Sequence, residues 1–142
     1  MTGMSLLNGK QNILLIEDDP EDAALIQRML ADLPYPVQLA RDGEEALDYL
    51  FGQKSHEELC MVLLDLRLPK VSGLDVLREI RRTDKTARLP VVILTGHAEE
   101  ENMLSSYRYG ANSFLRKPPD PDELIHVMGL MGAFCESAHL QA

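Results

Sequence analysis

Five short apolar runs punctuate this chain at nearly regular intervals, and that spacing restricts the fold more than any other feature. They are residues 12–17 (NILLIE), 37–40 (VQLA), 60–65 (CMVLLD), 89–95 (LPVVILT) and 112–116 (NSFLR). Most are dense in Ile, Leu and Val and too short for helices, so they read as strands. Several are apolar at consecutive positions rather than at alternate ones, which is how strands read when both faces of a sheet are covered. Amphipathic stretches separate the runs, and no internal repeat or low-complexity segment interrupts them. The alternation is that of repeated βα units.

The intervening stretches carry helix signals. Asp19 is placed to cap a first helix, with Pro20 in its first turn, Glu21 and Asp22 at its positive end, and Ile26, Met29, Leu30 and Leu33 as the inward stripe. Leu33-Pro34 is expected to end it. Asp42 and Glu45 have capping-box spacing ahead of Ala46, Leu47 and Leu50. Residues 51–59 (FGQKSHEEL) and 66–72 (LRLPKVS) read as loops. Leu74, Leu77 and Ile80 mark a third helix ending near Thr83, a fourth spans about 98–109 and stops at Gly110, and Asp120-Pro121-Asp122-Glu123 caps a fifth whose inner face is Leu124, Met128, Met131 and Cys135. The expected fold is α/β, a doubly wound five-stranded parallel sheet of flavodoxin-like order 2-1-3-4-5. Residues 1–11 are expected to form a flexible arm, 12–136 the domain and 137–142 a tail.

A length of 142 residues suits one domain with a single hydrophobic core. Net charge is -9, which would repel a nucleic-acid backbone and argues against direct nucleic-acid binding. No apolar stretch has the length of a bilayer span or a signal peptide, so neither a membrane partner nor an address other than the cytoplasm is expected. Cys60 and Cys135 read as reduced core residues. His56, His97, His126 and His139 are scattered, without the spacing of a zinc site.

In a doubly wound sheet, functional groups collect at the carboxyl ends of the strands. Here those ends present Glu17, Asp18 and Asp19, then Asp65, then Thr95 and Gly96, then Lys117 and Pro118. Singly, each has a plain explanation: helix-capping acids, a turn former, an ordinary hydroxyl, a solvated lysine. Convergence of all four ends on one pocket is what argues for chemistry. Glu17, Asp18 and Asp65 cannot all stay ionised side by side without a counterion. Oxygen donors of this number suit Mg2+, with Mn2+ as a substitute. Asp65, central in the pocket, is the expected nucleophile toward a phosphoryl group, with Lys117 neutralising charge and Thr95 donating a hydrogen bond.

The segments ILLIEDDP, LLDLRLPKVSG, VVILTG and FLRKP, in that order, resemble the motifs of receiver domains of two-component response regulators, and the resemblance covers about residues 12–135. It implies that Asp18, Asp65 and the main-chain carbonyl of Arg67 hold Mg2+, with Glu17 acting largely through water. It further implies that Asp65 takes a phosphoryl group from the histidine of a sensor kinase or phosphotransfer protein. Thr95 and Lys117 are then phosphoryl sensors, Phe114 an aromatic switch, and Lys117-Pro118 a cis bond. Phe114 stands where tyrosine is frequent, so a switch hydroxyl is absent. Arg67 and His97 match positions that tune self-dephosphorylation. Output would pass to a protein target or a second copy through the face of the fourth helix, fifth strand and fifth helix, the chain being a phosphoacceptor rather than an enzyme. The length of residues 51–59 and the run SYRYGANSFLRKP are similar to single-domain regulators of the phytochrome-associated type. A haloacid dehalogenase-type phosphatase would need a second Asp where Arg67 stands, and a flavodoxin would need a Ser/Thr/Gly-rich phosphate cradle where Glu17-Asp18-Asp19-Pro20 stands. A scaffold receiver would be expected to have lost one of the acid, hydroxyl or lysine positions, and all are present.

Overall fold

The structure is a computed structural model that describes residues 12–52, 59–96 and 107–130. Its strands are β1 (Asn12–Ile16), β2 (Val37–Ala40), β3 (Leu59–Asp65), β4 (Val91–Thr95) and β5 (Ser113–Arg116). They form one sheet in the order β2-β1-β3-β4-β5, every pairing parallel. The helices are α1 (Pro20–Met29), α2 (Gly43–Phe51) and α3 (Gly73–Arg82). Residues 107–108 close a fourth helix, α4, and residues 121–130 belong to a fifth, α5.

Alternate residues of each central strand serve opposite layers. Ile13 and Leu15 of β1 join Ile26 and Leu30 of the α1 segment and Leu124 and Met128 of α5 in one core. Leu14 and Ile16 join Ala46 and Leu50 of α2 and Val76, Leu77 and Ile80 of α3 in the other. Apart from the partly buried Leu59, the apolar side chains of β1, β3 and β4 are thus buried whichever way they point, and β2 and β5 form the less covered edges.

The caps follow the sequence closely. Asp19 accepts hydrogen bonds from the backbone N–H groups of Glu21 (2.8 Å) and Asp22 (3.3 Å). Asp42 accepts from Glu45 N–H at 2.8 Å, and Asp120 from Asp122 N–H at 3.1 Å. Gly110 stops α4 with φ of +100°, a conformation open to glycine and costly for other residues.

Three expectations need correction. Regular helix in α1 ends at Met29 rather than at Leu33-Pro34, because tighter turns take over, with Ala31 N–H bonding to Arg28 and Leu33 N–H to Leu30. Phe51 and Leu59, read as the ends of a loop, are instead the last residue of α2 and the first of β3, while Ser72 caps α3 from its loop, its hydroxyl accepting from Asp75 N–H at 3.2 Å. Cys60 is buried as expected, but it is disulfide-bonded rather than reduced. Cys135 lies outside the described residues, as do Met131, His97 and most of residues 98–109.

Arg81, at the last turn of α3, joins two loops at the amino end of the sheet. Its Nε donates to the Gly110 carbonyl (2.9 Å), one terminal nitrogen to the Leu89 carbonyl (2.6 Å) and the other to Asn112 Oδ1 (2.8 Å). Asn112 Oδ1 also accepts the backbone N–H of Val91 at 2.8 Å. A concavity of about 480 Å3, lined by Leu30, Leu33, Tyr35 and Val37 among others, opens near the start of β2, far along the strand from the acidic residues.

Candidate functional site

The site forms where β1, β3, β4 and β5 end. The backbone N–H of Glu17, immediately after β1, bonds to the Ala40 carbonyl of β2 at 3.0 Å. This fixes Glu17 at the strand end while its side chain turns into the pocket, 1% exposed as a residue. Asp65 closes β3 and is 2% exposed. Thr95 closes β4 and is buried, and the N–H of Lys117 bonds to its carbonyl at 2.7 Å. The Lys117-Pro118 bond is cis, as the resemblance implied.

Lys117 ties the pocket together. Its ammonium lies 2.9 Å from Glu17 Oε1, 3.1 Å from Asp65 Oδ2 and 3.3 Å from Asp22 Oδ2. The other Asp65 oxygen, Oδ1, accepts the backbone N–H of Arg67 at 3.0 Å, and Glu17 Oε2 accepts that of Asp19 at 3.2 Å. Burial raises the Glu17 carboxyl from 4.5 to about 7, and neighbouring Asp65 pushes it the same way while Lys117 holds it down. Burial also disfavours the Lys117 ammonium, but Glu17 and Asp65 together outweigh this and hold its pKa above the usual lysine value.

Ligand oxygens of Glu17, Asp18 and Asp65 lie within 4.8 Å of one another. Among the described residues the Lys117 ammonium faces these acids, paired with Glu17 and Asp65. All the donors are hard oxygens, so the set fits a small divalent cation. The Arg67 side chain is exposed beside it.

The loop after Asp65 is shaped by close contacts. Gly73 leaves no room for a side chain: a Cβ there would sit 2.5 Å from the Asp65 carbonyl oxygen and 2.6 Å from Leu66 Cα. Lys70 has φ of +70°, spanned by a bond from Val71 N–H to the Pro69 carbonyl at 2.8 Å, the pattern of a γ-turn. Its ammonium reaches Asp42 at 3.4 Å and Glu44 at 3.7 Å, joining this loop to the start of α2.

Phe114 pairs in register with Ile93 and is partly buried in the α2/α3 core. Its ring stacks on Tyr107 at 6.3 Å between centroids. Tyr107, Tyr109, Ile125 and Leu130 are exposed on α4, the turn after it, and α5.

The structure therefore brings Glu17, Asp18, Asp65 and Lys117 into one pocket, with Thr95 and Arg67 at its walls and Phe114 on the neighbouring strand. Asp22 is the participant that sequence reasoning missed. Its acid in a first helical turn was legible only as compensation for the helix dipole.

A doubly wound sheet with three acids and one lysine at its strand ends is the architecture of a phosphoacceptor switch. The response regulator receiver domain family matches residues 13–128, and the chain belongs to it. Its acidic pocket fits the aspartate phosphorylation site of that family. The chain is 41% identical over 118 residues to the probable methanogenesis regulatory protein FilR2 of Methanothrix harundinacea, covering 79% of this chain and 75% of that one. It is 33% identical to response regulator Rcp1 of Synechocystis, covering 95% and 96%. A crystal structure of the phosphorylated cyanobacterial phytochrome response regulator RcpA superposes with a TM-score of 0.72 at 33% identity, covering 88% and 90%. No helix among the described residues is long and apolar enough to cross a membrane.

Proposed function

We propose that Asp65 is the phosphoacceptor of this receiver, that it draws its phosphoryl group from a histidine of a sensor kinase or phosphotransfer protein, and that Mg2+ assists. The observation that carries this reading is the Lys117 ammonium, which bridges Glu17 at the end of β1 and Asp65 at the end of β3. An Asp65 oxygen attacks the phosphorus, forming the O–P bond as the P–N bond breaks, and the electron pair leaves with the imidazole. Lys117 offsets the negative charge that gathers on the phosphoryl oxygens, and the Thr95 hydroxyl donates to one of them. Asp18, Asp65 and the Arg67 carbonyl would hold Mg2+, with Glu17 acting through water, and the cation would supply charge neutralisation beside the transferred group.

Output runs through α4, β5 and α5. Phe114 is the two-state element, exchanging its packing on the α2/α3 core for an outward position, and the exposed Tyr107, Tyr109, Ile125 and Leu130 supply contact surface for a downstream protein or a second copy. Arg67 and His97 set the lifetime of the phosphoryl group, although His97 lies outside the described residues.

Intact-mass measurement after incubation with acetyl phosphate and Mg2+ tests the assignment. One added phosphoryl group is expected on the parent and none on Asp65→Asn. Equal modification of the two proteins refutes the assignment of Asp65.

A further inference from the structure

We propose that Asp22 is a positioning residue that draws the Lys117 ammonium toward itself in the resting pocket and yields it when Asp65 carries a phosphoryl group; this rests on the function proposed above. An ammonium has three N–H donors. Two of those of Lys117 are hydrogen-bonded, to Glu17 at 2.9 Å and Asp65 at 3.1 Å, and the Asp22 carboxylate lies 3.3 Å away as an ion pair. Phosphorylation adds oxygens beyond the Asp65 carboxylate, and the ammonium moves toward them most readily by leaving the partner it holds least firmly.

Asp22 is the partner suited to exchange. Its contact is the longest of the three, and its side chain is 33% exposed against 0% for Glu17 and 2% for Asp65, so water readily replaces the lysine there. Asp22 also stands outside the group Glu17, Asp18 and Asp65 whose oxygens cluster. A cation drawn to that cluster competes with Lys117 for Glu17 and Asp65 while leaving Asp22 to the ammonium. Asp22 therefore acts in opposite directions on the two occupants of the pocket. It accommodates the cation by giving Lys117 an acceptor elsewhere, and it opposes the phosphoryl group by retaining that lysine and adding a negative charge nearby.

Isothermal titration of the full chain with Mg2+ alone, and then with beryllofluoride as a phosphoryl analogue at saturating Mg2+, separates these effects. For Asp22→Asn, beryllofluoride affinity should rise about threefold, the scale of a partly exposed ion pair, while Mg2+ affinity falls. Asp22→Glu should return both toward the parent, and Asp22→Ala should behave as Asn does. Opposite shifts at an unchanged melting temperature support the role, since a residue that merely supports the fold would weaken both ligands together. Parallel weakening, or no change in either affinity, overturns it. Failure of the parent itself to bind beryllofluoride with Mg2+ overturns the proposed phosphoacceptor site, and this role falls with it.

Discussion

Replacing Glu17 with Gln should remove a pH-dependent burden on the fold. The Glu17 carboxyl titrates near 7 in the native protein against 4.5 when solvated, chiefly because it is buried. Between these values the native state retains a proton that the unfolded chain has released, so stability falls as pH rises through this window and levels off above it. At about 1.4 kcal/mol per pH unit, the interval from 4.5 to about 7 corresponds to a loss of about 3 kcal/mol as a ceiling. Gln imitates the protonated carboxyl and does not titrate. Parent and Glu17→Gln should therefore be similarly stable near pH 4.5, and the variant should be more stable by up to about 3 kcal/mol at pH 7.5. Urea unfolding in chelator, across a pH series, measures this; the chain has no Trp, so far-UV circular dichroism is the suitable signal. Saturating Mg2+ should flatten the slope of the parent, because the cation supplies the missing counter-charge. The same pH slope in both proteins without metal would refute the reasoning.

Three further outcomes are expected. Gly73→Ala should lower stability by about 1–3 kcal/mol and impair phosphoryl uptake, because its Cβ displaces the backbone of Asp65 and Leu66; unfolding and intact mass report the two effects, and an unaltered protein contradicts the close contact. Arg81→Lys should cost about 2 kcal/mol in unfolding free energy, since an ammonium cannot span the Gly110, Leu89 and Asn112 oxygens as a planar fork does. Arg67→Ala should still be phosphorylated but lose the group severalfold faster in a mass-based decay assay, and a decay equal to the parent's would remove Arg67 from lifetime control.

The layered fold was legible because strand length, caps and apolar runs agree at every level. Glu17, Asp18, Asp65, Thr95 and Lys117 could be placed together because parallel strands of known order bring their carboxyl ends to one edge. What escaped depended on contacts between segments distant in sequence. Nothing near Asp22 indicates that Lys117 will fold across to it. Arg81 reads as a basic residue closing a helix, and only the approach of Gly110 and Asn112 turns it into a clamp. Lys70 gives no local hint of positive φ, since its partners Asp42 and Glu44 lie in another βα unit. The early end of α1 escaped because the apolar stripe continues through Leu33 while the backbone tightens. Cys60 was misread because spacing says nothing about whether another sulfur lies beside a buried thiol.

The attachment of β5 limits what kind of motion can carry a signal. At its start, Asn112 receives the Val91 N–H and the Arg81 guanidinium on its side chain, and its own N–H bonds to the Val91 carbonyl at 2.8 Å. At its end, Lys117 N–H bonds to the Thr95 carbonyl. The strand is pinned to β4 at both ends with four residues between. Sliding by one residue would break both attachments and turn Phe114 from the α2/α3 layer to the opposite face. Between two fixed pins, the movement that remains inexpensive is torsional: the ring can swing about its own side-chain bonds while the backbone stays in register, as a key turns in a lock that does not itself travel.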